Sequence, residues 1–226
     1  MSLRVPVRIT AFRGHKQTVA PNGEPVTADE LRTHLRETAT GLPDSEAIAF
    51  IAEARTWIEQ QTNIAMMTQT WLVAMDRWPS AREQWWDGVR QGSRSELYGP
   101  QSYSDITLPR YPLQSISGVN VYDEDGNATA VSVATVFDVD TYSTPGRMNL
   151  KRGQTWPIAL RANNAIEVTY VSGYGAASDV PAPLAGAVKR LAAHLYAHRG
   201  DGCEMDDAWN KSGAKSMVDS YKLIQI

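Results

Sequence analysis

An α+β fold is what this sequence predicts, on three observations. A helical period runs through Ile48, Ile51, Ala54 and Ile58 and returns at Leu184, Val188, Leu191 and Leu195; the stretch between them changes to period two; and an Asp-Gly turn falls inside that stretch. The expected architecture is a small helical bundle, 27–66 and 180–200, with an inserted antiparallel β-rich region, 67–179. An extended N-terminal arm, 1–26, and a linker with a C-terminal docking tail, 201–226, flank it.

Each element follows from local chemistry. Residues 1–26 hold Pro6, Pro21, Pro25, Gly14 and Gly23 without a sustained period, which reads as an extended arm that needs a partner surface to become ordered. At Thr27-Ala28-Asp29-Glu30 the Thr27 hydroxyl can cap the free amides of a helix while Glu30 reaches back, so a short helix is expected through Leu31 and Leu35 to about Thr38. Gly41 and Pro43 interrupt it, and a second helix starts at Asp44 or Ser45. Its apolar stripe is Ile48, Ile51, Ala54 and Ile58, flanked by Ala47, Phe50 and Trp57; Arg55, Glu59 and Gln60 form its wet face.

From Thr68 the period is that of a strand, with Thr70, Leu72 and Ala74 alternating with Trp71, Val73 and Met75. Residues 80–99 set Trp85 and Trp86 among charges, with Gly88, Gly92 and Gly99 as interruptions, which reads as a loop or broken helix. The two adjacent indoles face different directions, and they either fill a core beneath the loop or meet another protein. Ile116, Val119 and Val121 continue the β pattern, with Gly118 suited to a bulge; a strand is expected over 130–139, and others over 147–151 and 165–171. Pro181 and Pro183 open the last long helix, which runs to about His198 with Lys189 and Arg190 in water. The closing SMVDSYKLIQI ends in apolar residues and is expected to dock onto something.

Composition narrows the function classes. Of 226 residues, 42% are hydrophobic and 21% charged, enough for a sizeable core, and 22 basic against 25 acidic residues leave −3, without the basic excess of a nucleic-acid groove. Cys203 is the single cysteine, so no internal disulfide forms, and a reducing compartment is expected. The first residues lack a signal-peptide pattern and no apolar run approaches a membrane span, so folding in the cytoplasm is expected and no membrane partner.

Three constellations invite a chemical reading. Asp123, Glu124 and Asp125 precede Gly126 and Asn127; a calcium loop would close with Glu at its twelfth position, where Ala134 stands, whereas a tight hairpin turn between two strands accounts for every residue. His194 and His198 stand four apart on one helix, spaced to face one zinc with Cys203, Glu204, Asp206 or Asp207, or to sit as a pair at the negative end of the helix dipole or against a neighbouring subunit. Leu195 replaces the glutamate of an HExxH site. No GxSxG elbow is present, and Gly173-Tyr174-Gly175 lacks the third glycine of a dinucleotide loop. No catalytic residue, metal ligand or cofactor is assigned, and the rival reading is a small metal-dependent hydrolase built on His194, His198 and Cys203.

Taken in order, the segments EPVTADELRTHLR, AIAFIAEARTWIEQQTNIAMMTQTW, WWDGVRQG with ELYGP, LPRYPLQSISGVNVYDEDG, RGQTWP followed by NAIEVTYVSGYG, PAPLAGAVKRLAAHLYAHR and SMVDSYKLI resemble the head–tail connector, or adaptor, proteins of tailed bacteriophages, prophages and gene transfer agents. They cover nearly all of residues 24–226; the long N-terminal arm and the Gly/Asp-rich link before the tail depart from the pattern. The resemblance implies a non-enzymatic virion protein: a homo-oligomeric ring of about twelve subunits in the neck, beneath the portal, closed by a heterologous interface. It further implies partners in the portal protein and a stopper or tail-terminator protein, with DNA passing through the lumen without sequence-specific binding, and assembly in the bacterial host cytoplasm. Met217, Val218, Tyr221, Leu223 and Ile224 are the expected portal-binding residues, and Trp85 and Trp86 the expected subunit or tail interface. Another neck or tail-completion role, as a stopper or terminator, is the nearest alternative.

Overall fold

The computed structural model describes residues 12–78, 105–199 and 204–221. They divide into two compact units: one holds 12–18, 70–78, 105–109 and 113–171, the other 19–69, 110–112, 172–199 and 204–221. The class is α+β, as the two periods required.

The second unit is mainly helical. Helix α1 (Ala28–Leu35) begins as the capping box dictates: Glu30 N donates to Thr27 Oγ1 at 3.2 Å and Thr27 N to Glu30 Oε2 at 2.9 Å. It stops at Leu35 rather than Thr38, because Arg36 turns left-handed. Helix α2 (Asp44–Thr62) follows Pro43 and ends at left-handed Asn63, whose N–H donates to the Glu59 carbonyl at 2.9 Å. Its buried stripe is Ala47, Ile51, Ala54 and Ile58; Ile48, expected inside, is 48% exposed. Helix α3 (Val133–Val136) is one turn in the other unit. Helix α4 (Ala182–Ala197) buries Leu184, Ala187, Val188, Leu191, Ala192 and Tyr196, the i, i+3, i+4 face of a core helix, and packs on α1 and α2. Helices α5 (Met205–Lys211) and α6 (Ala214–Val218) bury Ala208, Trp209, Ala214 and Val218 in the same core.

Glu59 corrects the expected wet face of α2. It is 6% exposed, and its Oε1 accepts from Met66 N at 2.8 Å and from Gln69 Nε2 at 2.9 Å, while Oε2 accepts from Arg55 Nη1 at 2.9 Å. Arg55 in turn donates to both carboxylate oxygens of Glu24, at 2.7 and 3.2 Å, and Arg110 donates to the Glu59 carbonyl. A buried carboxylate survives only with partners of this kind.

The first unit is β-rich. Five strands lie in the order β1 (Phe12–Val19), β2 (Gln69–Met75), β8 (Ile166–Ser172), β4 (Leu113–Tyr122), β5 (Ala128–Val131); a second sheet has the order β3 (Ile106–Thr107), β7 (Arg147–Leu150), β6 (Phe137–Asp140), antiparallel throughout. Part of the segment read as an arm is therefore strand β1, and the partner surface it needs is β2. Alternation places Trp71, Val73 and Met75 of β2 and Ile166, Val168 and Tyr170 of β8 in a core shared with Phe137, Met148 and Leu108. Strand β4 runs through Gly118 from end to end, where a bulge was expected. The strand expected over 130–139 is two strands separated by α3: β5 ends at Val131, Val136 N donates to the Ser132 carbonyl at 3.1 Å, and Phe137 enters the second sheet. Packing of Val133, Val136 and Phe137 on the core outweighs the β preference of their branched neighbours.

Candidate functional site

The acidic stretch is a hairpin turn. Strands β4 and β5 pair antiparallel from Val119↔Val131 to Tyr122↔Ala128. Between them, Asp123 Oδ1 accepts from Asn127 N at 2.8 Å, Oδ2 accepts from Asn127 Nδ2 at 2.9 Å, and Gly126 adopts φ +86°. The Asn127 side chain, then the Asn127 N–H, holds the Asp123 carboxyl below its ordinary range. Its lone pairs close a turn, and no group of three or more His, Cys, Asp or Glu that could hold a metal occurs among the described residues.

The His194 and His198 rings stack on the last turn of α4, centroids 4.0 Å apart and planes 27° apart. His198 Nδ1 lies 2.9 Å from the His194 carbonyl oxygen, so that nitrogen carries the hydrogen and donates. Partial burial lowers the His194 pKa, helped by His198 and Lys211. Cys203 lies outside the described residues.

The expected portal-binding residues divide. Val218, expected to meet the portal, is fully buried in the chain's own core. Met217 and Tyr221 are partly buried against the same core, and a Cβ on Gly186 would stand 2.7 Å from Met217 Cε, so the glycine makes room for that side chain. The cause is the Gly213 turn, at φ +74°, which brings α6 back onto α4. Leu223 and Ile224 lie outside the described residues, as do Trp85 and Trp86.

Sequence reasoning missed the exposed apolar side chains of the β-rich unit. Tyr142 is 98% exposed on a turn organised by Asp140, which accepts from Tyr142 N at 3.0 Å, Ser143 N at 3.1 Å, Ser143 Oγ at 2.6 Å and Arg147 Nε at 3.0 Å. Ser143 first, then Arg147, holds the Asp140 carboxyl far below its ordinary range. Ile158 is 77% exposed and Leu160 is exposed beside it, while Trp156 of the same segment stacks on Trp78 with centroids 4.6 Å apart. Only the composition of the TWPIAL run could have flagged Ile158 and Leu160.

The fold is similar to that of chains solved in gene transfer agent particles. No protein-family model matches the sequence, and no curated protein matches it. Among solved structures, a chain from the neck of an empty gene transfer agent particle computed with C6 symmetry aligns with a TM-score of 0.70 and 21% identity, over 94% of this chain and 97% of that one. A chain from the virion of a native gene transfer agent particle gives 0.69 and 21%, over 94% and 96%. A chain from the native neck computed with C12 symmetry gives 0.67 and 20%, over 94% and 97%.

Proposed function

We propose that this chain is a head–tail connector subunit of a phage-like particle, about twelve copies of which close into a ring beneath a portal by heterologous contacts. The observation that carries the reading is the shared fold over 94% of the chain with neck proteins of gene transfer agent particles. The order of the sequence segments supports the adaptor position in particular. The ring joins the capsid to a stopper or tail-terminator protein and lines the DNA exit channel. A subunit charge of −3 suits a lumen through which DNA slides, since rows of phosphate-neutralising side chains would hold it.

Portal attachment is assigned to Leu223 and Ile224 with the adjoining Tyr221; Met217 and Val218 support that segment from the core. Trp85 and Trp86 are assigned to a subunit or tail-side contact, joined by exposed Tyr142, Ile158 and Leu160, because aromatic and large apolar groups carry interfaces. The test is imaging of purified particles with and without residues 222–226. Density for this chain between portal and tail in the full-length particle, lost on truncation while the purified truncated chain keeps its melting temperature, is the expected result. A location below the stopper would make it a tail-completion protein, and absence from the particle would end the reading.

A further inference from the structure

We propose that residues 4–10 of one copy add as a strand to the open edge of β1 in a neighbouring copy, so that each subunit clasps the next. The inference rests on the ring reading and names a contact that closes the ring. Among the described residues β1 (Phe12–Val19) ends the five-stranded sheet, with β2 on one side only. Half of a strand's main-chain N–H and C=O groups point to each side, so an eight-residue edge presents a long row of them to an incoming chain. The opposite edge, β5, has four residues, and α3 begins directly behind it. Strand β1 is also uncovered on both faces: every residue from 14 to 19 is exposed, and Val19 is 57% exposed.

The occupant is identified by the chain that leads into β1. Residues 1–11 lie outside the described residues, and eleven extended residues span roughly 36 Å. Val5, Val7 and Ile9 alternate with Arg4, Arg8 and Thr10, a period of two in a stretch rich in β-branched residues. Ile9-Thr10-Ala11-Phe12-Arg13 holds no Gly, Pro, Asn or Asp, so the sequence supplies no turn for folding back onto its own β1, and the segment is directed to another copy. Pro6 sets the parity of pairing. A proline has no N–H to donate and is tolerated in an edge strand with its nitrogen toward solvent, and the added strand is the new edge. Main-chain groups of Pro6 and Arg8 then face water, and those of Val5, Val7 and Ile9 face β1. Arg4 and Arg8 extend from the face opposite the valines into solvent, where their repulsion from Lys16 of β1 is screened. Every copy carries one such segment and one such edge, so donors and acceptors match one to one around a ring closed by heterologous contacts.

Photo-crosslinking in purified particles tests it. With Val7 of the full-length chain replaced by photoreactive p-benzoylphenylalanine, illumination should give a ladder of multimers of this chain, and mass spectrometry should place the link in residues 12–19 of another copy. Adding Arg8→Pro puts a second proline on the solvent side and should leave the ladder near its parental yield. Adding Ile9→Pro instead removes an N–H on the β1 side and should cut that yield several-fold, with the melting temperature of the isolated chain unchanged in both variants. Absence of the ladder, a link confined to the same copy or to a different protein, or equal loss with both prolines would each overturn the proposal while this chain is still found in the neck. A full-length chain absent from the particle would overturn the ring reading, and this proposal with it.

Discussion

Glu59 accepts the Met66 main-chain N–H at 2.8 Å, so a carboxylate on the last turns of α2 fixes the chain just before β2. Glu59→Ala would leave that N–H, the Gln69 amide and one arm of Arg55 without their acceptor. Removing one member of a buried charged cluster costs about 3–5 kcal/mol. At roughly 2–4 °C per kcal/mol for a chain of this size, the melting temperature should fall by roughly 6–20 °C. Glu59→Gln keeps one acceptor oxygen and should lose less. A thermal melt in which the alanine variant matches the parent would refute the role given to this side chain.

The Asp140 turn sets a pH dependence. Its folded pKa lies below the ordinary 3.8, so the unfolded chain binds the proton more readily. The stability it contributes is therefore present above the unfolded value and is lost as pH falls through the lower folded value. The gap in urea midpoint between the parent and Asp140→Asn should hold constant from about pH 5 to 8 and shrink below about pH 4. A gap that grows on acidification would reverse the sign and reject the assignment.

The Asp123–Asn127 turn and Glu59 mark where the sequence was and was not legible. The turn at Asp123–Asn127 could be read directly, because turn chemistry is local: Asp and Asn bind their own backbone and Gly126 supplies a positive φ. Glu59 could not, because a helical-period reading sorts side chains by polarity and puts every acid in water; its burial depends on Gln69 and Arg110, ten and fifty-one residues away. Ile48 failed for a related reason. The larger side chain was taken for the buried one, whereas close helix packing at that level selects Ala47. The apolar tail was seen, but a composition cannot say whether such a segment meets a partner or the chain's own core.

The capping box of α1 makes a smaller, cleaner prediction. Thr27→Ala removes the acceptor of Glu30 N while leaving the Glu30 carboxylate near Thr27 N. An N-cap loss of about 1 kcal/mol is expected, a fall of roughly 2–4 °C in the melt, and Thr27→Ser should restore most of it.

Gly173 is irreplaceable for two independent reasons. Its φ is +128°, and a Cβ there would overlap the carbonyl of Met67. The opposing atom is backbone, so neither residue yields by rotating a side chain, and strain of about 1–3 kcal/mol adds to the overlap. Gly173→Ala should therefore reduce soluble yield or melting temperature far more than Gly126→Ala, whose Cβ meets open space although its φ is also positive.

Val218 separates a core residue from a contact residue. It is fully buried beside α4, and Val218→Ala removes two carbons from that core, which at about 0.8 kcal/mol each, before any cavity term, predicts a loss near 1.5–2 kcal/mol in the isolated chain. Because α5 and α6 are short and draw their stability from this packing, the loss should appear first as faster amide hydrogen exchange across Met205–Lys211 and Ala214–Val218, with α2 little changed. A contact residue would behave in the opposite way, leaving the isolated chain as stable as before and weakening only assembly. Unchanged exchange in the α5–α6 amides, together with impaired particle assembly, would return Val218 to the portal-facing surface.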